Sequence, residues 1–312
     1  MENEKLVYIL ILNYNSSAET IDCVNSILNN VKYNNYKIII LDNNSSDNSC
    51  KILTQYCAVI FNDKHKEIRF IPNETNYGYA HGNNIGIKIA MEENADYVCL
   101  MNPDVLVTTD FLSELVYVAN EDSGIGMLCP AGTNYGNEEY CIGAGSKIGK
   151  LTGYTKIINS GKKISNIFPK VYHCDYLGGM CILVKTEVIN KIGLIPENYF
   201  LFYEETEWCI KCNNSGYKCV ADTNVSVIHK GSVTIDRASK GKINLHNYYM
   251  YRNRILFQKR NRNKIIYIIF LIYYLAEITY ERIKGHYGKE VWMAYIDGIR
   301  NVDRLGNAIQ HS

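Results

Sequence analysis

Proline is scarce in this chain, 5 in 312 residues. No stretch rich in Pro, Gly or Ser divides it, and no internal repeat or low-complexity segment is present. That argues against modules on a flexible linker and against a fibrous chain. Charge of one sign is missing too: the formal net charge is +1, so overall charge supports no nucleic-acid partner. The run IIYIIFLIYYLA, Ile265–Ala276, has twelve residues, where a bilayer-spanning helix needs about twenty. The opening MENEKLVYIL carries acidic residues and no long apolar run, which argues against a secretory leader. The 11 cysteines are odd in number and lack a repeating framework, so reduced thiols in a cytoplasmic protein are expected. Cys209 and Cys212 form one C-x-x-C without a matching pair, which reads as two thiols on one helix rather than structural zinc.

What is present is a globular composition, 47% apolar and 21% charged, and an alternation over the first 130 residues. KLVYILIL (Lys5–Leu12), YKIIILD (Tyr36–Asp42), EIRFIP (Glu67–Pro72) and DYVCLM (Asp96–Met101) are runs of strand type. Between them lie helical patterns: one opened by Ser16 and Glu19 at capping-box spacing, one ending about Cys57, and one near Ala80–Glu92. Strands buried on both faces and separated by helices mean a parallel sheet with right-handed crossovers. From about Ile125 to Lys185 the segments become short, Gly-rich and strand-like, with GGMCILVK the clearest, and read as a mixed extension of the same sheet.

Four polar segments fall at strand ends: Asn13-Tyr14-Asn15, Asp42, NYGYAHGNNIG (Asn76–Gly86) and Asn102-Pro103-Asp104. Each alone is ordinary turn chemistry. Together they mark the edge where a ligand crevice forms in an open α/β sheet. Pro103 cannot continue a central strand, so Asp104 is presented at a strand's carboxyl end. A carboxylate there suits a hard divalent cation, Mn2+ or Mg2+, that neutralises a diphosphate, with His229 as second ligand. Asp42 is suited to accept the imide N–H of uracil or thymine. Gly78, Gly82 and Gly86 either let backbone approach a ligand or pack a helix closely.

The ordered set ILNYN, LDNNSSDNS, NYGYAHGNNIG, LMNPDV, LGGMCILVK, FLFYEETEW and HKGS, between about Leu6 and Phe257, resembles the family-2 inverting glycosyltransferases and their rhamnosyltransferase-like branch. The resemblance implies an α/β, Rossmann-like type A glycosyltransferase fold: a mixed, mainly parallel central sheet with a C-terminal helical region. It implies that Asn13, Tyr14, Asn15 and Asp42 hold the nucleoside. Asp47 and the loop with Asn76, Gly78 and Asn83 frame the donor. Asn102 stands in the stretch that replaces the usual Asp-x-Asp, leaving Asp104 as its metal carboxylate. His229 completes the metal site, and Arg252 in YRNR reaches the diphosphate. Gly178, Gly179 and Glu204 lie on the acceptor side. Glu205 is the general base, one methylene longer than the family's usual Asp. The implied partners are a nucleotide-sugar donor, dTDP-L-rhamnose favoured over a UDP-hexose, and a surface-glycan or lipid-linked acceptor.

The expected organisation is a catalytic domain over 1–243, with halves at about 1–130 and 131–243, and a helical region over 244–312. The apolar run beside basic KRNRNK is either buried or lies peripherally on the cytoplasmic face of a membrane. A nucleotidyltransferase would need a Gly-rich basic signature that ILNYNSSAET lacks. A non-catalytic nucleotide- or glycan-binding protein would have no need of both Asp104 and the Glu204-Glu205 pair.

Overall fold

The computed structural model describes residues 4–64, 67–231, 244–286 and 288–305. Its first part alternates strand and helix: β1 (Val7–Asn13), α1 (Ser17–Asn30), β2 (Tyr36–Asp42), α2 (Ser49–Lys64), β3 (Ile68–Pro72), α3 (Tyr79–Glu92), β4 (Tyr97–Met101). Then come β5 (Val105–Val107), α4 (Phe111–Glu121), β6 (Ile125–Asn134), β7 (Asn137–Gly143), β8 (Ser146–Ile148), β9 (Thr155–Ile157), β10 (Val171–Cys174), β11 (Cys181–Lys185), α5 (Thr186–Ile192), α6 (Glu204–Asn214) and β12 (Lys218–His229). The three last helices are α7 (Leu245–Asn261), α8 (Lys264–Ile283) and α9 (Lys289–Arg300).

The central sheet runs β10-β12-β6-β11-β4-β1-β2-β3, with β5 on β12 and β7 on β6. Strands β4, β1, β2 and β3 are mutually parallel. β11 is antiparallel to both β4 and β6, and β12 is parallel to β6. The period-2 alternation of β1 and β2 divides the core into two layers. Val7, Ile9, Ile11, Ile38 and Ile40 pack with Cys23, Val24, Ile27 and Leu53 of α1 and α2. Tyr8, Leu10, Ile39 and Leu41 pack with Ala80, Ile87 and Ala90 of α3 and Trp208 of α6. Apolar residues at both parities are what a strand covered on both faces requires.

Two local expectations need correction. Ser16 makes no side-chain cap on α1. Its hydroxyl donates instead to Asn13 Oδ1 at 3.1 Å, alongside Thr20 Oγ1 at 2.8 Å, so the end of β1 takes the group a capping box would use. Helix α2 continues past Cys57 to Lys64. Pro103 does end β4, but the chain resumes at once as β5, antiparallel to β12 with Val105 opposite His229. The stop is therefore a change of partner, and it carries Asp104 across to β12.

The register places the polar strand ends on one edge. Asn13 is opposite Asp42, Ile11 opposite Met101, and Met101 opposite Cys181. The carboxyl ends of β1, β2 and β4, the Gly178-Gly179 turn before β11 and the β5–β12 pair thus share a rim.

Candidate active site

Along this rim the nucleoside-side residues form a self-satisfied polar loop. Asp42 Oδ1 accepts from Ser45 N at 2.8 Å, and its Oδ2 accepts from Asn13 Nδ2 at 2.6 Å and Ser45 Oγ at 2.7 Å. Three of the roughly four acceptor positions of an ionised carboxylate are therefore used within the loop, and the residue is 1% exposed. Asp42 therefore organises the loop through bonds within it. Asn15, at φ 52°, accepts from Ser46 N at 2.9 Å and Asp47 N at 3.3 Å. Asp47 in turn accepts from Ser49 N at 2.8 Å, at the start of α2. Tyr14 is half-buried.

The loop before α3 is similarly braced. Asn76 Oδ1 accepts from Asn43 Nδ2 at 2.8 Å and Gly78 N at 3.0 Å. Gly78 has φ 96°, and a Cβ there would sit 2.3 Å from the Phe200 carbonyl oxygen, so only glycine fits. Asn83 donates to the Tyr79 carbonyl at 3.0 Å inside α3 and is 1% exposed. Gly82 and Gly86 bring α3 against Leu12, Leu10 and Leu41, which settles their role in favour of close helix–sheet packing.

Asp104 and His229 meet as expected, with Oδ2 and Nε2 3.2 Å apart. That is about the separation of two neighbouring ligands of an octahedral cation bonded at roughly 2.1 Å. Among the described residues no group of three His, Cys, Asp or Glu forms a cation cage. A cation held by this carboxylate and imidazole would therefore draw its other ligands from the donor and solvent, and the carboxylate together with diphosphate and water oxygens suits Mn2+ or Mg2+. Ser232 of the His-Lys-Gly-Ser stretch lies outside the described residues.

His229 and Asn102 line a cavity of 290 Å³ with Tyr79, Gly178, Gly179 and Glu205. The three glutamates at the start of α6 have separate environments. Glu207 is clamped by Arg260 through two 2.8 Å bonds and accepts the Tyr199 hydroxyl at 2.6 Å. Burial opposes its charge, but these donors outweigh burial and hold its carboxyl below the ordinary range. Glu204 is 2% exposed, and its Oε2 has no partner. Burial, reinforced by the neighbouring Glu205, keeps its carboxyl well above the usual range. Glu205 faces the cavity, and burial pushes it up to about 7.

Gly179 fixes where the Glu205 carboxylate lies. A Cβ at Gly179 would come within 1.9 Å of Glu205 Oε1. The obstacle is the end of a flexible side chain, so Gly179→Ala should fold and displace the carboxylate instead. Turnover is expected to fall on the order of tenfold to a hundredfold, as for other small misplacements of reacting groups. Donor affinity by calorimetry should hold, and unchanged turnover would mean that this carboxylate position is not used.

The sequence reading misplaced one residue and missed its neighbour. Arg252 does not reach the rim. It is 3% exposed, its Nε donates to the Val302 carbonyl at 2.7 Å, and Nη1 lies 3.9 Å from Asp303, so it ties α7 to the segment after α9. Asn253, one position on, turns towards the site and donates to the carbonyls of Leu201 at 2.7 Å and Phe202 at 3.0 Å. These carbonyls belong to a strained turn, since Phe202 and Tyr203 have φ of 69° and 75°. Left-handed backbone at bulky residues costs about 1–3 kcal/mol each and persists only where surroundings enforce it. Here it delivers Glu204 and Glu205 at the first turn of α6. Aromatic residues carry no sequence signal for that conformation.

With this geometry in place, comparison with known proteins is direct. The family model described as "Glycosyl transferase family 2" matches residues 8–192, more than half of the chain. The low-salt glycan biosynthesis hexosyltransferase Agl10 of Haloferax volcanii is 28% identical over 255 residues, 80% of this chain and 74% of its own. The dTDP-rhamnosyl transferase RfbF of Shigella flexneri is 24% identical over 95% of this chain and 96% of its own. Among solved structures, GalNAc-T7 with UDP, GalNAc and Mn2+ superposes with a TM-score of 0.61 at 15% identity. That match covers 92% of this chain but 59% of the other, and it bears on the fold, which is of type A. The chain belongs to glycosyl transferase family 2.

Proposed function

We propose that the protein transfers a sugar with inversion from a nucleoside diphosphate donor, dTDP-L-rhamnose in preference to a UDP-hexose, to a hydroxyl of a surface-glycan or lipid-linked acceptor. The observation that carries this reading is the placement of Glu205. Its carboxylate opens into a cavity that also holds His229 and the Gly178-Gly179 turn, and its pKa is raised towards neutrality, where a general base works best. The acceptor hydroxyl gives its proton to Glu205 as its oxygen bonds to the anomeric carbon. The bond from that carbon to the phosphate oxygen breaks, and its electron pair leaves with the nucleoside diphosphate. Attack from the Glu205 side, opposite the leaving group, inverts the centre. Asp104 and His229 would hold a divalent cation, whose contribution is to offset the charge of the diphosphate. Asn13, Asn15 and Asp42 shape the loop against which the nucleoside rests.

The preference for dTDP-L-rhamnose draws on the Asn-Pro-Asp sequence and on the near full-length match to a protein named as a dTDP-rhamnosyl transferase. It is tested by thermal shift with dTDP-L-rhamnose, UDP-glucose, UDP-GlcNAc and CDP, and by hydrolysis of the three nucleotide sugars, with and without Mn2+. A donor at 100 times its Kd should add about 2.7 kcal/mol of stability. The largest shift is expected for dTDP-L-rhamnose with Mn2+. A larger shift with a UDP-hexose would overturn the donor, and no shift or nucleotide release with any of them would favour a binding protein.

A further inference from the structure

Helix α8 carries an apolar face that the fold does not cover. Its inner residues Phe270, Tyr274 and Ile278 are fully buried against Ile255, Val291 and Tyr295. On the opposite side Ile265 is 72% exposed, Ile268 and Ile269 are 47%, Ile272 is 68% and Ile283 is 81%. Spaced three and four apart, with exposed Tyr273, Ala276, Thr279 and Tyr280 between them, they form one stripe about 27 Å long at 1.5 Å per residue. The stripe makes no polar demand: Thr279 donates its hydroxyl to the Leu275 carbonyl within the helix, at 2.7 Å. No described helix is long and apolar enough to cross a membrane.

The charges of α8 are arranged around this face. Its acids are engaged: Glu277 accepts the Tyr154 hydroxyl and lies 3.6 Å from Arg254, and Glu281 pairs with His286 at 2.7 Å. The exposed charges bounding the stripe are basic, with Lys264 at one end and Arg282 and Lys284 at the other. A second copy lying antiparallel across the stripe would set Lys264 against Arg282 and Lys284 of its partner, with no acid between them. An anionic lipid surface meets apolar face and basic ends together, and exposed Tyr273 and Tyr280 suit the headgroup level.

We infer that α8 lies in the plane of an anionic membrane surface, with Ile265, Ile268, Ile269, Ile272 and Ile283 entering the acyl boundary and Lys264, Arg282 and Lys284 on the headgroups. Lipid docking would also orient the catalytic cavity. Glu277 holds Arg254 and Tyr154, Arg254 Nε donates to the Thr152 carbonyl at 2.7 Å, and Thr155 at the end of that loop lines the cavity. The inference stands on α8 alone and does not depend on the identity of the donor.

The test is flotation of the full chain with vesicles of phosphatidylglycerol and phosphatidylcholine in equal parts, and with phosphatidylcholine alone, at low and high salt. Wild type is expected to float with the anionic vesicles and to be released by salt. Ile268→Glu combined with Ile272→Glu changes two outward positions, so circular dichroism and the donor-induced thermal shift should match wild type while vesicle binding falls about tenfold or more. Lys264→Gln with Lys284→Gln should weaken binding to anionic vesicles only. The inference is overturned if wild type stays with neither vesicle at low salt, or if the Ile268→Glu, Ile272→Glu protein floats as well as wild type. It is equally overturned if wild type is a dimer that the double glutamate substitution dissociates without any vesicle binding.

Discussion

Glu205→Gln is expected to lower turnover on the order of a hundredfold or more, the loss typical of a missing general base, while donor affinity stays near wild type. The amide keeps the shape of the side chain but cannot accept the hydroxyl proton. The substitution also removes a charge beside the buried Glu204 carboxyl, whose Oε2 has no partner, so thermal stability should be unchanged or higher. Lost rate with retained or raised stability separates a base from a structural carboxylate. The pH profile follows from the same burial. With Glu205 held up at about 7, the ionised base is depleted as pH falls through 7, so wild-type activity should rise across that region and level off above it. Glu207→Gln should behave in the opposite way. It removes the charge and one of the two oxygens that accept from Arg260 and Tyr199, costing stability more than rate. Full turnover in Glu205→Gln together with inactivity in Glu207→Gln would reverse the assignment.

The second large effect is expected from Asp104→Ala. A carboxylate on the rim repels a diphosphate unless a cation lies between them, so removing it should abolish the Mn2+-dependent part of donor binding and lower turnover by about a hundredfold. Asp104 sits where the chain passes from β4 to β5, and Lys230 N donates to its backbone carbonyl at 2.9 Å. That bond survives substitution, so the fold should hold. Calorimetry of the donor with and without Mn2+ gives a readout independent of turnover. A Mn2+ response equal to that of wild type would remove Asp104 from the cation site.

How far the sequence could be read depended on the physics behind each signal. The parallel core was legible because β1, β2 and β4 are continuous apolar runs that only a doubly covered strand tolerates. The rim was legible because Pro103 must end a ladder and because polar residues follow the strands. Asp104 and His229 were paired in advance by ligand chemistry and by the family resemblance, not by periodicity: their contact depends on β5 joining β12, and a three-residue strand leaves no periodicity to read. The same limit explains Arg252 and Asn253. Both lie on a helix without a clear apolar stripe, so which of two adjacent polar residues turns inward is decided by tertiary contacts, with Val302 and Asp303 on one side and Leu201 and Phe202 on the other. Asp42 was legible as a polar residue at a strand end, but its bonds to Ser45 and Asn13 were not, since they form only once the strands are in register.

The turn at Phe202-Tyr203 bears on how modular such an enzyme can be. The family match ends at residue 192, yet the amide that secures the turn comes from residue 253. The nucleotide half and the last helices are therefore not interchangeable parts. A chimera that grafts another protein's C-terminal helices onto this sheet replaces both the Asn253 amide that holds the turn and the Arg260 clamp on Glu207 in the same helix as the base. A graft that carries an amide at the position of Asn253 keeps the two bonds to the Leu201 and Phe202 carbonyls, and one that lacks it leaves the turn without them.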